Sequence, residues 1–95
     1  MVQLCLDENI LKLSGALNYL NANQCYKDGL KMLKGISASH ILIDLSALEK
    51  ANTLALALVI QWMRQLPEKV LRLTQMPEKM LGILRASHLE YLQAS

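Results

Sequence analysis

The fold of this chain is decided by residues 41–74, which read ILIDLSALEKANTLALALVIQWMRQLPEKVLRLT. The run Ile41-Leu42-Ile43 is short, apolar and rich in β-branched residues, which is typical of a central strand buried on both faces. Asn52-Thr53 precedes an apolar segment of helical length that ends before Pro67, and Val70–Thr74 is a second strand. Strand, helix and strand in this order predict a βαβ unit with parallel strands and a right-handed crossover.

Two further strands precede this unit. Residues 2–6 alternate apolar and polar side chains, and residues 10–13 resume an apolar pattern after the turn sequence Asp7-Glu8-Asn9. Alternation of this kind is typical of half-buried strands, and two such strands joined by a short turn form a hairpin. The N-terminal part of the chain is therefore predicted to be a β-hairpin.

Residues 21–33 have a helical period, with a rough apolar stripe along one side. Asn21 or Asn23 is a candidate N-cap, and Gly35 is a candidate stop. Gly29 is unfavourable inside this helix, because glycine lowers helix stability. The segment is nevertheless predicted to be the first helix of the domain.

The C-terminal part continues the alternation of strands and helices. Pro77, followed by Glu78, is typical of the first turn of a helix, which we expect to reach about residue 84. Residues 88–92 form a short terminal piece. The whole order is strand, strand, helix, strand, helix, strand, helix. We therefore predict one α/β domain over residues 1–95, with a mixed sheet of about four strands flanked by helices.

Composition and charge exclude several classes of protein. The chain is 53% hydrophobic and 19% charged, so it is too apolar to be disordered. A net charge of +2 without a Lys/Arg cluster gives little support for nucleic-acid binding. The longest apolar run, residues 54–60, is far shorter than the roughly 20 residues of a membrane-spanning helix.

The two cysteines indicate a reducing compartment. Cys5 and Cys25 have no CxxC spacing, and no signal peptide is recognisable. We therefore expect free thiols in a cytoplasmic protein.

The helix over residues 52–66 lacks the simple amphipathic pattern of a crossover helix. In its second half the polar residues share one side, as expected for a face turned to solvent; they are Gln61, Arg64 and Gln65. At about 100° per residue, the opposite side is apolar and should face the sheet; it carries Leu56, Val59, Ile60 and Met63. Extending the polar side back by one turn reaches three apolar residues instead, Leu54, Ala57 and Leu58.

Two explanations fit this outward apolar patch. A neighbouring loop or helix of the same domain could cover it, since exposed leucines are common in soluble proteins. Alternatively, a partner protein covers it, because contiguous exposed apolar patches on small domains are typical of docking sites. Burial of one leucine there would contribute about 1.5–3 kcal/mol to an interface.

The start of the same helix offers unpaired backbone N–H groups and a partial positive charge. Asn52 or Thr53 is a natural N-cap at this point. The hydroxyl of Thr53 is alternatively a place for a regulatory phosphate or for a contact with a partner.

Few residues support a catalytic function. Asp44 ends a predicted parallel strand, at the edge where α/β sheets place their sites, but an aspartate there more often hydrogen-bonds its own turn. His40 and His88 have no carboxylate at a triad-like spacing and no second histidine for a metal. The four glycines are scattered and form no phosphate-binding loop. We therefore predict no catalysis, no metal and no cofactor.

Residues 41–56, ILIDLSALEKANTLAL, resemble the signature of STAS domains. In that family a buried strand ends in an Asp-Leu-Ser turn, and a loop leads to an Asp-Ser/Thr pair followed by small residues at a helix start. The N-terminal hairpin and residues 84–92, LRASHLEYL, are also similar to the family. The resemblance covers nearly the whole chain and implies a domain that docks on a partner protein.

Within the family the chain is most similar to the STAS subunits of bacterial Mla-type phospholipid ABC transporters, which help to maintain outer-membrane lipid asymmetry. The resemblance implies a cytoplasmic accessory subunit that binds the ATPase subunit of a complex with a membrane permease, and supports its assembly and activity. A threonine at the helix start is part of that contact in the family, and Thr53 stands at the matching position. The expected partner-binding residues are Asn52, Thr53, Leu54, Ala57, Leu58 and Gln61.

Anti-sigma factor antagonists, which are single-domain members of the same family, imply a different function. They carry a phosphorylatable serine after an aspartate, with glycine shortly afterwards. Here Asn52-Thr53 replaces that pair, and Leu54-Ala55 replaces the glycine-rich step. Thr53 remains a candidate phosphorylation site, but the missing aspartate and glycine favour the transporter interpretation, because added bulk at Leu54 suits a permanent apolar interface. The direction of lipid movement and the stoichiometry stay open.

Overall fold

The computed structural model describes residues 2–49, 53–76 and 78–93. These residues form the expected mixed four-stranded sheet and three α-helices, together with one short 3-10 helix. The strands are β1 (Val2–Asp7), β2 (Ile10–Gly15), β3 (His40–Leu48) and β4 (Val70–Thr74). The helices are α1 (Ala22–Lys34), α2 (Thr53–Gln65) and α3 (Glu78–Ala86), and the 3-10 helix is Glu90–Leu92.

The strands lie in the sheet in chain order, β1-β2-β3-β4. β1 and β2 form the predicted antiparallel hairpin, whereas β2, β3 and β4 are parallel to one another. Parallel neighbours joined by right-handed crossovers place α1 and α2 side by side on one face of the sheet. The predicted βαβ unit is therefore confirmed, and β2, α1 and β3 repeat the same arrangement.

β3 is longer than the sequence indicated. We expected the strand to end at Asp44 and a loop to begin at Ser46, but the strand continues to Leu48. Its pairing with β2 shifts register between Lys12 and Ser14, as at a β-bulge. The Asp44 carboxylate accepts a hydrogen bond from the Ser46 amide at 2.9 Å. The hydrogen bond that we predicted for a turn is thus made inside the strand. There it satisfies the Ser46 amide in the irregular part of the backbone.

α1 and α2 pack on the same face of the sheet. The side chains that alternate toward this face along β2, β3 and β4 are buried; they are Leu11, Leu13, Ile41, Ile43, Leu45, Leu71 and Leu73. The side chains between them are exposed or half-buried, including Leu42 of β3. The expectation that β3 is buried on both faces was therefore wrong, because both crossover helices pack on the same face.

The loop from β2 to α1 is fixed by two asparagines. Asn21 stands at the N-cap position, but its side chain makes no cap bond. Its Oδ1 accepts from the Asn18 amide at 2.9 Å, and its Nδ2 donates to the Ala16 carbonyl at 2.8 Å. Asn18 Oδ1 in turn accepts from the amides of Leu20 and Asn21. The Asn21 side chain therefore does not cap α1 as expected. It forms hydrogen bonds with the backbone of the loop that precedes the helix.

The helix ends follow the predicted stops closely. α1 ends before Gly35, and α2 ends two residues before Pro67. α3 begins at Glu78; Pro77, its predicted first-turn residue, lies outside the described residues. Within the described ranges, no helix has both the length and the hydropathy needed to cross a bilayer.

The short segment after α3 covers the outer edge of β4. Leu92 of the 3-10 helix is fully buried, and Gln93 pairs with Leu73 in a parallel bridge. An edge strand offers unpaired backbone groups to other chains unless something covers it. The terminal piece predicted at residues 88–92 therefore belongs to the domain and caps its sheet.

α1 and α2 contact each other through Gly29 and Trp62. Trp62 is fully buried, and its indole N–H donates to the Tyr26 carbonyl at 2.9 Å. A Cβ atom on Gly29 would overlap Cζ2 of Trp62 and lie 2.9 Å from its Cε2. Glycine is therefore required at this point of α1, and close packing of the two helices offsets its unfavourable helix propensity.

Candidate docking surface

The candidate site lies at the edge of the sheet where the parallel strands end. β2 and β3 both lead into connections at this edge, where the Gly15 carbonyl accepts from the Glu49 amide at 2.9 Å. α1 and α2 start at the same edge and run back across the sheet, so their first turns lie side by side. This is the edge at which open α/β sheets commonly place their binding sites.

The predicted partner-binding residues have different exposures on α2. Thr53, the first residue of the helix, is exposed, and so are Ala57 and Gln61. Leu54 is half-buried. Asn52 lies outside the described residues. The exposed stripe of α2 therefore begins at the threonine and continues along residues one helical turn apart.

Leu58 was expected on the outward face, and that expectation was wrong. Its side chain is only 7% exposed and belongs to the hydrophobic core. The reason is that α2 packs on two neighbours at once, on the sheet beneath it and on α1 beside it. The side of α2 that turns toward α1 is covered by the same domain, as one of the two sequence-based explanations proposed. Leu58 forms the floor of a groove rather than an exposed anchor.

The same two-sided packing shifts the buried stripe of α2. Leu56 and Val59 are buried as expected, but Ile60 and Met63 are only half-buried. Trp62 is fully buried, although it was not among the residues expected to face the sheet. The helix is therefore rotated toward α1 relative to the orientation that its own polar residues predicted.

A groove of about 340 Å³ lies between the N-terminal part of α1 and residues 54–61 of α2. Its α2 side is formed by residues that the sequence had singled out, and its α1 side by residues that it had not. The complete lining is Ala22, Asn23, Tyr26, Leu54, Ala57, Leu58 and Gln61. None of these side chains is charged, although 19% of the chain is charged. The arrangement suits the burial of apolar side chains from another protein.

The three α1 residues of the groove were missed because they carry no motif. Asn23 was considered only as a cap, and Tyr26 was not singled out as a site residue. A signal was available, since no charged residue occurs between Lys12 and Lys27. An uncharged first turn on a surface helix is unusual and could have identified this side of the groove.

The candidate catalytic residues have ordinary structural roles or surroundings. The Asp44 carboxylate is occupied by the Ser46 amide. His40 is exposed, and its Nδ1 lies 3.2 Å from the Ser39 hydroxyl. Within the part of the chain that the structure describes, no group of three or more His, Cys, Asp or Glu side chains could hold a metal ion.

Cys25 on α1 is buried, whereas Cys5 on β1 is exposed, and both are free thiols. Burial raises the pKa of the Cys25 thiol from 9.0 to about 11, and the nearby Asp28 carboxylate adds to the shift. A thiol that stays protonated at neutral pH is a poor nucleophile. Cys25 is therefore a core residue and not a reactive one.

Comparison with known proteins places this geometry among relatives. A family model described as "Mlab, STAS domain" matches residues 1–94. A chain of the Acinetobacter MlaFEDB complex in the ATP-bound Vtrans2 conformation is 41% identical, with 97% of each chain covered and a TM-score of 0.85. A chain of the same complex in the ATP-bound Vtrans1 conformation is 40% identical, with 94% of this chain and 95% of that chain covered and a TM-score of 0.82.

A more distant structure has the same fold. The anti-sigma factor antagonist SpoIIAA in its unphosphorylated form is 15% identical, with 99% of this chain and 86% of that chain covered and a TM-score of 0.76. At this identity the similarity concerns the fold alone. No curated protein gave a significant match to the chain.

Proposed function

This chain belongs to the MlaB family of STAS domains, and from that membership we propose that it is a non-catalytic accessory subunit of a bacterial phospholipid-transport ABC complex. The observation that carries the proposal is the 41% identity, over 97% of the chain, to a component of the Acinetobacter MlaFEDB complex. The resemblance to STAS domains that residues 41–56 indicated is thereby confirmed.

The proposed partner is the ATPase subunit of such a complex, which also contains a membrane permease. The chain would act at the cytoplasmic face of the inner membrane, held there by this partner, and would contribute to outer-membrane lipid asymmetry. A domain without a reactive centre can support an ATPase by burying a surface that is unstable when exposed. We therefore assign it a role in assembly and activity of the ATPase and not in chemistry.

The proposed interface is the exposed stripe of α2 with its adjoining groove. Thr53, Ala57 and Gln61 are exposed there, and Leu54 is half-buried beside them. Leu58, on the groove floor, would be reached only by a side chain inserted from the partner. The proposal also includes Asn52, which directly precedes α2 in the sequence.

Ala57→Arg tests this interface directly. Ala57 is exposed, so the substitution should change the free energy of unfolding by no more than about 0.5 kcal/mol. A long charged side chain at the mouth of an uncharged groove should weaken binding to the ATPase at least about 100-fold, because its charge is buried without a partner. The measurement is isothermal titration of the purified chain with the ATPase subunit from the same genome.

Ala86→Arg is the matched control, because Ala86 is also an exposed alanine of a helix but lies on α3, outside the proposed interface. It should bind the ATPase like the unmodified chain. Equal binding by the Ala57 variant would contradict the proposed interface. Absence of any binding by the unmodified chain would contradict the proposed function itself.

A regulatory switch is the second candidate function, because Thr53 is exposed at the start of α2. In this alternative a partner kinase phosphorylates Thr53, and the chain is an anti-sigma factor antagonist. Mass spectrometry of the chain purified from its native cells would show a phosphate on Thr53, and Thr53→Glu would abolish binding to a kinase-like anti-sigma factor. Recovery of an ATPase and no such factor in the same purification would exclude this alternative.

A further inference from the structure

Two large side chains stand almost fully exposed in the loop between β2 and α1. Tyr19 is 86% exposed and Leu20 is 96% exposed. Two other large hydrophobic residues in the described ranges, Leu6 and Tyr91, are less exposed, at 38% and 61%. A single exposed leucine needs no explanation, but two adjacent and nearly bare side chains form the start of an apolar patch.

Hydrogen bonds hold the backbone of the loop that carries Tyr19 and Leu20. Asn18 Oδ1 accepts from the Leu20 amide at 2.9 Å and from the Asn21 amide at 3.1 Å. The Ala22 amide, the first of α1, donates to the Asn18 carbonyl at 2.9 Å. These bonds hold the backbone on both sides of Leu20. A loop backbone that is already held by hydrogen bonds loses little conformational entropy on binding, which favours the use of its side chains as anchors.

The same loop adjoins the groove between α1 and α2. Ala22 lines that groove, and two peptide units allow at most roughly 7 Å between the Cα atoms of Leu20 and Ala22. Tyr19 directly precedes Leu20 and is one residue further from Ala22. The exposed pair therefore lies within three residues of the groove lining in the chain, and we call Tyr19, Leu20 and the seven residues that line the groove the loop–groove surface.

The loop–groove surface is uncharged along its whole length. Residues 13–26 contain no Asp, Glu, Lys or Arg, and neither do residues 53–63. The groove on the other side of α1, between α1 and β1, is different, because Asp28 and Lys31 line it. Interface centres are depleted in charged residues and enriched in tyrosine, so this surface has the composition of an interface centre.

We propose that Tyr19 and Leu20 are apolar anchors that extend the α2 docking site across the β2–α1 loop, and that an uncharged, apolar face of the same ATPase subunit covers them. The inference rests on the proposed function, since it names further residues of the same interface. A protein face suits this surface better than a lipid bilayer does. Peripheral membrane sites place Lys or Arg beside their apolar residues to meet anionic lipids, and the two segments contain neither.

The test is the affinity of the purified chain for the ATPase subunit after Tyr19→Ser and Leu20→Ser, made singly and together. Both residues are exposed and Ser tolerates loop conformations, so the circular dichroism spectrum and the midpoint of unfolding should stay unchanged. Loss of the Leu20 side chain should weaken binding roughly 10- to 100-fold, and loss of both side chains further. Tyr91→Ser removes another exposed tyrosine, remote in the chain, and should bind like the unmodified protein.

Salt provides a second readout. Because no charged side chain lies on the loop–groove surface, the dissociation constant should change less than about threefold between about 0.1 and 1 M NaCl. A much steeper dependence would contradict an uncharged contact. Flotation of the chain alone with vesicles of phosphatidylethanolamine and phosphatidylglycerol, lost in the double variant, would overturn the proposal in favour of a lipid contact.

The outcomes separate this inference from the function on which it rests. If Ala57→Arg abolishes binding and the double variant binds normally, the docking site on α2 stands and the loop anchors are refuted. If the unmodified chain does not bind the ATPase, the proposed function is refuted, and the loop anchors are refuted with it. Weakened binding by the double variant, with normal binding by Tyr91→Ser, supports the loop anchors.

Discussion

α1 and α2 meet in two different ways along their length. At Gly29 and Trp62 the helices are so close that no Cβ fits between them, and the indole N–H binds the Tyr26 carbonyl. One turn nearer to their first residues, the same helices leave a groove of about 340 Å³. The closed contact contributes stability, whereas the groove leaves apolar side chains incompletely covered, and these are the side chains that we propose a partner protein contacts.

The difference between the close contact and the groove shows how a small domain can leave an apolar surface exposed and remain folded. Docking surfaces need side chains that the domain itself leaves incompletely covered, and such regions are less stable locally. Here the close contact lies directly beside the groove, so packing within the domain sets the positions of Leu54, Ala57 and Tyr26. A preorganised surface of this kind costs less conformational entropy on binding.

Gly29→Ala is the substitution expected to break the closed contact most severely. The added Cβ would overlap the Trp62 ring, which is fully buried and cannot move aside freely, so one helix must shift. Overpacking of this kind costs about 3 kcal/mol in the free energy of unfolding. Chemical denaturation followed by circular dichroism measures the loss.

Gly82→Ala is its control on α3, because nothing lies within 4 Å of a Cβ at that position. This variant should be more stable by about 0.5–1 kcal/mol, since alanine is the better helix former. Adding Trp62→Phe to Gly29→Ala should recover part of the lost stability, because the smaller ring lacks the overlapping atoms. A Gly29→Ala protein as stable as the unmodified chain would remove the contrast between the two regions.

Leu58→Asp and Ala57→Asp compare the floor and the mouth of the groove. Leu58 is 7% exposed, so a carboxylate there should destabilise the fold by about 2–3 kcal/mol. The neighbouring Ala57 is exposed, and the same change there should cost no more than about 0.7 kcal/mol, the difference in helix propensity. Thermal unfolding of the two variants measures both. Equal losses would mean that Leu58 is not part of the core.

Cys25 provides a smaller effect than Gly29 or Leu58 and reports on the opposite side of α1. The thiol has a pKa of about 11 in the folded chain against 9.0 ordinarily, so its protonated form stabilises the fold. That contribution is complete below pH 9 and is lost as the pH rises toward 11. Because solvent reduces such effects, we expect a loss of about 1 kcal/mol over this range.

The measurement is the free energy of unfolding at several alkaline pH values, for the unmodified chain and for Cys25→Ala. Other groups titrate in the same range, so only the difference between the two proteins reports on Cys25. Cys5 should react with iodoacetamide much faster than Cys25, because it is exposed. Identical pH profiles for the two proteins would contradict a stabilising buried thiol.

The sequence predicted the elements of the fold well where local patterns are strong. The boundaries of β4 and the end of α2 before Pro67 match the structure, because turn residues and a proline mark them. It failed at β3, where the strand runs on to Leu48. The extension depends on pairing with β2 through a bulge, and pairing between strands is not visible in either strand alone.

The candidate site was predicted on one side only. The amphipathic pattern of α2 indicated an outward apolar patch, and two of its three members fit that prediction, since Ala57 is exposed and Leu54 is half-buried. The same pattern placed Leu58 with them, because helical periodicity describes one helix and does not include its neighbours. The assignment of these residues to an interface stays a prediction until the binding experiments are done.

The sequence by itself determined the family, the order of strands and helices, and the helix that carries the candidate site. These features depend on local periodicity, on turn residues and on short motifs, which lie close together in the chain. Only the tertiary structure decided that Gly29 receives the Trp62 ring, that Leu58 lies on the floor of a groove, and that one uncharged surface unites α1 and α2. The physical reason is that these features depend on contacts between residues about 30 positions apart in the chain. No local sequence pattern predicts such contacts.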